Sequence, residues 1–301
     1  MPRLVARTPR IGRLVVFTAA LSLGAVSTAV AHDHWLIPDM FAFGPNATLH
    51  INARQGTRFP AGRAVEPPRV VDARVIGATG AAKVTEMTVE GPSLRLHYKP
   101  AAEGQYLIAL ALAPRTFRQT PEGVLRFLRA EGGALEAARL EREGTLARMD
   151  SVVFDAASYA STIVDVGRGG PRAFTKQAGF LLEFVPVNDP AHVHVGDTLH
   201  VTVFGAGKPV PGIGVDAMPA LDTVTAGAPA TGAAPAGTSP SSATIDRVTL
   251  HADANGVVHL PLTKAGAWML RGAFLSRKLA TESSDWNLSR TTYVVRVGAS
   301  H

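Results

Sequence analysis

Cysteine is absent from all 301 residues. That excludes structural disulfides, thiolate zinc sites, cysteine nucleophiles and a lipid-modified N-terminal cysteine. Charge is sparse at 18% of residues, and aromatic residues make up only 6%. Familiar catalytic motifs are missing as well. There is no glycine–x–serine–x–glycine elbow, no His-Glu-x-x-His helix and no phosphate-cradling glycine-rich loop after a strand. The sequence therefore reads as non-enzymatic. Hydrophobic residues nevertheless reach 46%, enough for a sizeable core, which excludes global disorder.

The basic excess, 30 Lys and Arg against 24 Asp and Glu, is concentrated at the start of the chain. Arg3, Arg7, Arg10 and Arg13 precede an apolar run from Leu14 to Val26, and small residues follow at Ala29-Val30-Ala31. This is the pattern of a cleaved secretory signal over residues 1–31, so a periplasmic or secreted mature chain starting at His32 is expected. Without those four arginines, 26 basic residues face 24 acidic ones, which leaves no footprint for nucleic acid. No later stretch approaches a membrane-spanning length, so the mature chain is not expected to cross a membrane.

From Trp35 to Leu112 short alternating segments are separated by Gly, Pro and Asn, the pattern of β-strands with turns. Thr120-Pro121-Glu122 then signals a helix start, with Thr as N-cap and Pro at the first helical position. Val124, Leu125 and Leu128 form its apolar face. After Gly132-Gly133 a second helical run reaches Glu143, with Leu135 and Ala138 expected inward and its arginines and glutamates outward. Strand character returns at Ser151 and continues to the C-terminus. The fold class is thus mainly all-β, with two Ig-like or transthyretin-like sandwich portions and an inserted helical hairpin. The expected segments are 32–115, 116–170 and 171–301, the last holding a flexible Ala/Gly/Pro/Ser/Thr-rich loop over 225–244.

Candidate chemistry centres on the processed N-terminus His32-Asp33-His34-Trp35. A free amine, two deprotonated backbone amides and a third-position imidazole close a square-planar ring of four nitrogens around Cu(II) or Ni(II). A second mode uses His32 through its amine and ring, with another imidazole completing the set. In an extended backbone His32 and His34 project to one face. His192-Val193-His194 repeats the spacing and is a weaker candidate, because a polar turn is the more frequent use of such a stretch. His50, His97, His200, His251 and His259 stand singly on strand patterns; each is ordinarily a satisfied surface or core residue, and any is a candidate third imidazole. Glu183, inside an apolar strand, is a buried-carboxylate candidate, with a structural ion pair to a strand arginine as the simpler reading. Trp35, Trp268 and Trp286 are candidates for sugar stacking or for core packing.

Taken in order, several stretches resemble a family of exported bacterial proteins that carry a domain of unknown function. That family is described as the periplasmic component of nickel/cobalt uptake systems. The matching stretches are Ala31-His32-Asp33-His34-Trp35-Leu36, Gly56 with Phe59, and Phe127-Leu128 with Glu131-Gly132, Arg139 and Gly144. They continue with Glu183-Phe184-Val185-Pro186, Asp189-Pro190 and Gly196, then Gly207 to Gly212, Asp253 to Gly256, Gly266-Ala267-Trp268 and Asp285-Trp286. Two positions depart from it: Tyr159-Ala160-Ser161 replaces a stretch with Lys in many relatives, and Phe274 stands where many have His. The resemblance implies a non-enzymatic protein that binds Ni(II) or Co(II), with Cu(II) as a further candidate, and hands it to a membrane metal transporter. It implies His32 and His34 as the ligand source. The rival reading is a structural, adhesive or glycan-binding envelope module without a metal role.

Overall fold

The computed structural model describes residues 32–220, 246–278, 284 and 286–300. The expected leader (1–31), the expected loop (225–244) and Asp285 lie outside the described residues. In chain order the strands are β1 (Asp33–Pro38), β2 (Ala42–Phe43), β3 (Leu49–Arg58), β4 (Ala61–Ala64), β5 (Val70–Ile76), β6 (Ala81–Lys83), β7 (Glu86–Glu90), β8 (Ser93–Tyr98) and β9 (Gly104–Gln119). Helices α1 (Pro121–Ala130) and α2 (Ala134–Glu143) follow. Then come β10 (Val152–Val166), β11 (Leu182–Pro186), β12 (Thr198–Gly205), β13 (Lys208–Pro209), β14 (Gly214–Pro219), β15 (Val248–His251), β16 (Val257–Pro261), β17 (Gly266–Arg277) and β18 (Trp286–Val297). The chain is mainly β with two helices, as its turn-punctuated pattern predicts.

Three sheets form. The first has the order β1-β3-β8-β7, with β4 on β3. The central sheet runs β15-β14-β17-β18-β10-β9-β5-β6, with β2 on β10, and the third is β11-β12-β13 with β16 on β12. The run Tyr106 to Leu112 on β9 shows why the central sheet can be shared. Leu107, Ala109 and Ala111 enter the core that also holds Leu199, Val201, Val203, Val258 and Leu260 of the third sheet. Ile108, Leu110 and Leu112 enter the opposite core, with Leu36, Leu49, Ile51, Leu94 and Leu96 of the first sheet. Successive side chains point to opposite faces, so a strand covered on both sides reads as a near-continuous apolar run. The two sandwich portions are therefore three layers with a common middle.

Segments 32–115, 116–170 and 171–301 all contribute to that middle layer, and β9 itself runs across the first border. The described residues all fall in one compact unit. The seam is the parallel pairing of β10 with β18, from Phe154↔Trp286 to Thr162↔Val294.

Thr120 caps α1 as its sequence predicts, its side chain accepting from the Gly123 N–H at 3.1 Å. The hairpin sits on one end of the central sheet, packing Val124, Leu128, Ala137 and Leu140 against Phe154, Leu275, Trp286 and Leu288. The expected polarity of α2 is corrected here. Ala137 and Leu140 are its buried apolar residues, Ala138 is half-buried, and Leu135, also half-buried, packs inward on Gly214 of β14 as expected. Glu136 is buried too, and it is held by Arg139 through two contacts of 2.7 and 2.9 Å. Trp35, Trp268 and Trp286 are core residues, none more than 3% exposed, which excludes sugar stacking on them.

Glu183 on β11 is buried and structural. Its carboxylate accepts backbone N–H groups of Ala178 at 2.7 Å and Gly179 at 3.3 Å, while Arg74 donates to the Ala178 carbonyl at 2.8 Å. Burial raises its pKa above the ordinary 4.5, although these N–H donors and Arg74 pull the other way. The folded protein thus keeps a proton that the unfolded chain has already released. Stability must fall as pH rises through the window above 4.5 and level off beyond it. Glu183→Gln is expected to remove that slope in urea unfolding followed from pH 4 to 7. Glu183→Ala, which strands the donors, should cost about 1–3 kcal/mol at neutral pH.

Candidate functional site

Asp33 and His34 open β1, the edge strand of the first sheet, and pair with Gly56 and Gln55 of β3. The Thr292 hydroxyl on β18 donates to the His34 carbonyl, so the strand is held from both sides. The His34 ring is only 5% exposed. Arg69 has donors only, so its Nη1, 3.3 Å away, donates to His34 Nε2. A hydrogen bond to the Gln55 side chain engages the same ring. Burial pushes the His34 pKa well below 6.5, and the nearby charges of Arg290 and Arg69 add to the effect, so the ring is neutral at neutral pH.

Around it lies a buried charge network drawn from five elements. Asp33 of β1 meets Arg271 of β17 at 2.7 Å, and Arg271 reaches Asp216 of β14 at 3.3 Å. Arg290 of β18 meets Glu131, the C-cap of α1, at 2.6 Å and donates to Ser158 of β10 at 2.6 Å. None of these five charged side chains is more than 13% exposed. Burial raises the Glu131 pKa against the pull of Arg290. Burial also works against the Arg271 charge, but Asp33 and Asp216 outweigh it and raise its pKa. Gly132 makes the approach of the hairpin possible: its φ is +82°, and a Cβ there would meet the Arg271 side chain at 3.2 Å.

His32, His34, Glu131, Ser158, Arg290 and Thr292 line one small cleft. The structure thus brings the two N-terminal histidines together, with His32 half-buried and His34 at the base. It also constrains what they can do. The four-nitrogen ring requires the amides of residues 33 and 34 and a ring nitrogen of His34. Both residues sit in the β1–β3 ladder, and the ring already contacts Gln55 and Arg69. The mode that takes the amine and ring of His32 needs none of those backbone groups.

The second motif does not converge. His192 ends a short helical turn beside Asp189, at 3.3 Å, while His194 lies beside Asp197, at 3.8 Å. His194 also lines a pocket of about 210 Å³ with Phe41, Asp165 and Tyr293, where β10 and β18 diverge. Among the described residues no three His, Asp or Glu side chains gather into a full metal-ligand set.

Sequence reasoning missed Arg271, Arg290 and Asp216 as site residues. One trace was present, since Glu131-Gly132 belongs to the stretches that carry the family resemblance. Removing one partner of a buried pair leaves the other charge uncompensated. Arg290→Met is therefore expected to cost about 3–5 kcal/mol in chemical denaturation. Adding Glu131→Leu to it should recover part of that loss, which a double-mutant cycle would measure.

Comparison with known proteins supplies a family and little else. Residues 29–273 match the model of a family described as a domain of unknown function, DUF4198. No curated protein matches significantly. Among solved structures, a Salmonella alpha-2-macroglobulin mutant is 12% identical, with 87% of this chain and 14% of that one covered, at a TM-score of 0.21. The Escherichia coli adhesin FdeC is 12% identical over 89% of this chain and 64% of that one, TM-score 0.21. The Yersinia pseudotuberculosis adhesin InvE is 14% identical over 87% and 58%, TM-score 0.19. The chain thus spans about a seventh of the macroglobulin and under two thirds of either adhesin.

Proposed function

We propose that this chain, a member of the DUF4198 family, is a non-enzymatic, exported protein that binds a divalent transition metal, Ni(II) or Co(II), for a membrane metal transporter, a role that the family match itself does not name. Cu(II) is a further candidate. The observation that carries this reading is the shared cleft of His32 and His34 at the head of β1. Cleavage after Ala31 would put a free amine on His32, beside its own ring and within the cleft that His34 lines. An all-nitrogen set of amine and imidazoles suits borderline divalent ions. The carboxylates of Asp33 and Glu131 nearby offset the cationic Arg271 and Arg290.

The adhesive or structural reading draws on a different observation. His34 and Asp33 are already engaged within the protein, as the contacts of a strand anchor would be.

Intact mass of the exported protein, followed by Ni(II) and Cu(II) titration, separates these readings. The mature chain should take up an ion at its N-terminus, and His32→Ala should weaken that uptake by about tenfold or more. The Ni(II) complex should lack the yellow square-planar absorption of the four-nitrogen ring. A yellow band that disappears in His34→Ala would instead establish that ring. An N-terminus starting elsewhere than His32, or uptake unchanged by both His32→Ala and His34→Ala, would reject the metal site and leave the structural module.

A further inference from the structure

Four histidines that stand alone in the sequence are two pairs in the fold. His50 on β3 and His97 on β8 are direct cross-strand partners in the first sheet. Their Nδ1 atoms are 3.0 Å apart and their ring planes cross at 83°. His200 on β12 and His259 on β16 are partners in the third sheet, with Nδ1 atoms 2.7 Å apart and rings at 76°. The same constellation has thus formed twice, in sheets on opposite sides of the central layer.

In each pair one ring is oriented from behind, by a carboxylate directly in the second pair and by a carboxylate-bound hydroxyl in the first. The Thr88 hydroxyl donates to Glu90 at 2.8 Å, so its oxygen accepts from His97 Nε2–H at 2.9 Å. His259 Nε2 is 3.3 Å from Asp253 Oδ2, and a carboxylate only accepts. Asp253 is itself fixed, because its other oxygen accepts the N–H groups of Asn255 at 2.8 Å and Val257 at 2.9 Å. When a neutral imidazole donates through Nε2, its lone pair is on Nδ1. For His97 and His259 that lone pair is directed at the facing ring. A polar or carboxylate group behind a histidine is also the usual outer support of a metal-bound imidazole.

The spacing is short enough for one ion to bridge both rings. Two nitrogens about 2.0–2.1 Å from one ion lie roughly 2.9 Å apart at a right angle and roughly 3.4 Å apart at a tetrahedral one. The 3.0 and 2.7 Å separations, held without an ion by an N–H···N hydrogen bond, lie closer to the right-angle value, so seating an ion there needs a turn of the rings and little movement of the strands. We propose that each pair, His50 with His97 and His200 with His259, is a two-imidazole site for a divalent ion that favours square-planar or octahedral coordination. Ni(II), Cu(II) and Co(II) are of this class, and water completes their remaining positions. Without an ion, the partner ring donates its own Nδ1–H across the same gap; with one, that proton moves to Nε2. The His259 side chain is 51% exposed and its Asp253 support 37%, so an ion can reach the second pair from solvent. With two protein ligands and an open face the second pair is suited to loading and release, whereas the first, with the His97 side chain 13% exposed, is the more enclosed. They do not depend on the N-terminal site.

The test uses the mature chain carrying His32→Ala with its α-amine acetylated, so that both N-terminal modes, which need that amine, are removed. Calorimetric titration with Ni(II) or Cu(II) should give two ions per chain. Paramagnetic broadening in NMR should fall on the ring signals of His50, His97, His200 and His259. His97→Gln and His259→Gln should each remove one ion, and the double variant both. His50→Gln and His200→Gln repeat the test from the facing strand, with circular dichroism confirming the fold of each variant. No uptake by the amine-blocked His32→Ala chain, uptake unchanged in the double variant, or broadening confined to other histidines would each overturn the proposal. If the N-terminal reading alone failed, these two ions would still bind.

Discussion

The contact between Asp33 and Arg271 ties the first described strand to the last β-hairpin across 238 residues of sequence. With Asp216, Glu131 and Arg290 it forms a set of charges on which the placement of β1, the helical hairpin and β17–β18 all depend. Buried ion pairs contribute little net stability, because desolvation offsets most of the attraction. What they supply here is discrimination. An apolar edge strand can slide on an apolar face, whereas Asp33 finds its guanidinium in one register only. The register also fixes where His32 and His34 emerge, so the candidate site is a by-product of the anchoring.

The central sheet explains why two sandwich portions share one body. β9 and β10 bury both faces, one beneath the first sheet and one beneath the third. Neither sandwich could be excised without exposing the middle layer of the other. Such a framework is stiff, and it holds the cross-strand histidine pairs on its two outer sheets at fixed separations.

Much of this was legible in the sequence. The Thr120-Pro121 cap, the glycine punctuation and the alternating segments report local backbone preferences, and local preferences survive folding. Tertiary choices were not visible. Glu136 reads as a solvated helix residue because nothing local tells which face of α2 meets the sheet. The segment borders expected near 115 and 170 were turns in a pattern, and a pattern does not reveal that strands from all three segments pair side by side. His34 carries no sign of Gln55 or Arg69, which reach it from other elements. For the same reason His50 and His97 look solitary: 47 residues separate them, and only strand register brings their rings together.

The order of strands in the central sheet has a kinetic consequence. β18, the last described strand in chain order, lies between β17 and β10 and provides both the Thr292 hydroxyl and the Arg290 charge beside β1. At a synthesis rate of about 5–20 residues per second, β1 waits roughly 10–50 s for its partners to exist. Until then the newborn polypeptide presents an unfinished edge bearing Trp35 and Leu36, an open invitation to stick to a neighbour. Whatever shields that edge during biogenesis, a holdase or a translocation channel, acts on this molecule before the cleft at the head of β1 is complete.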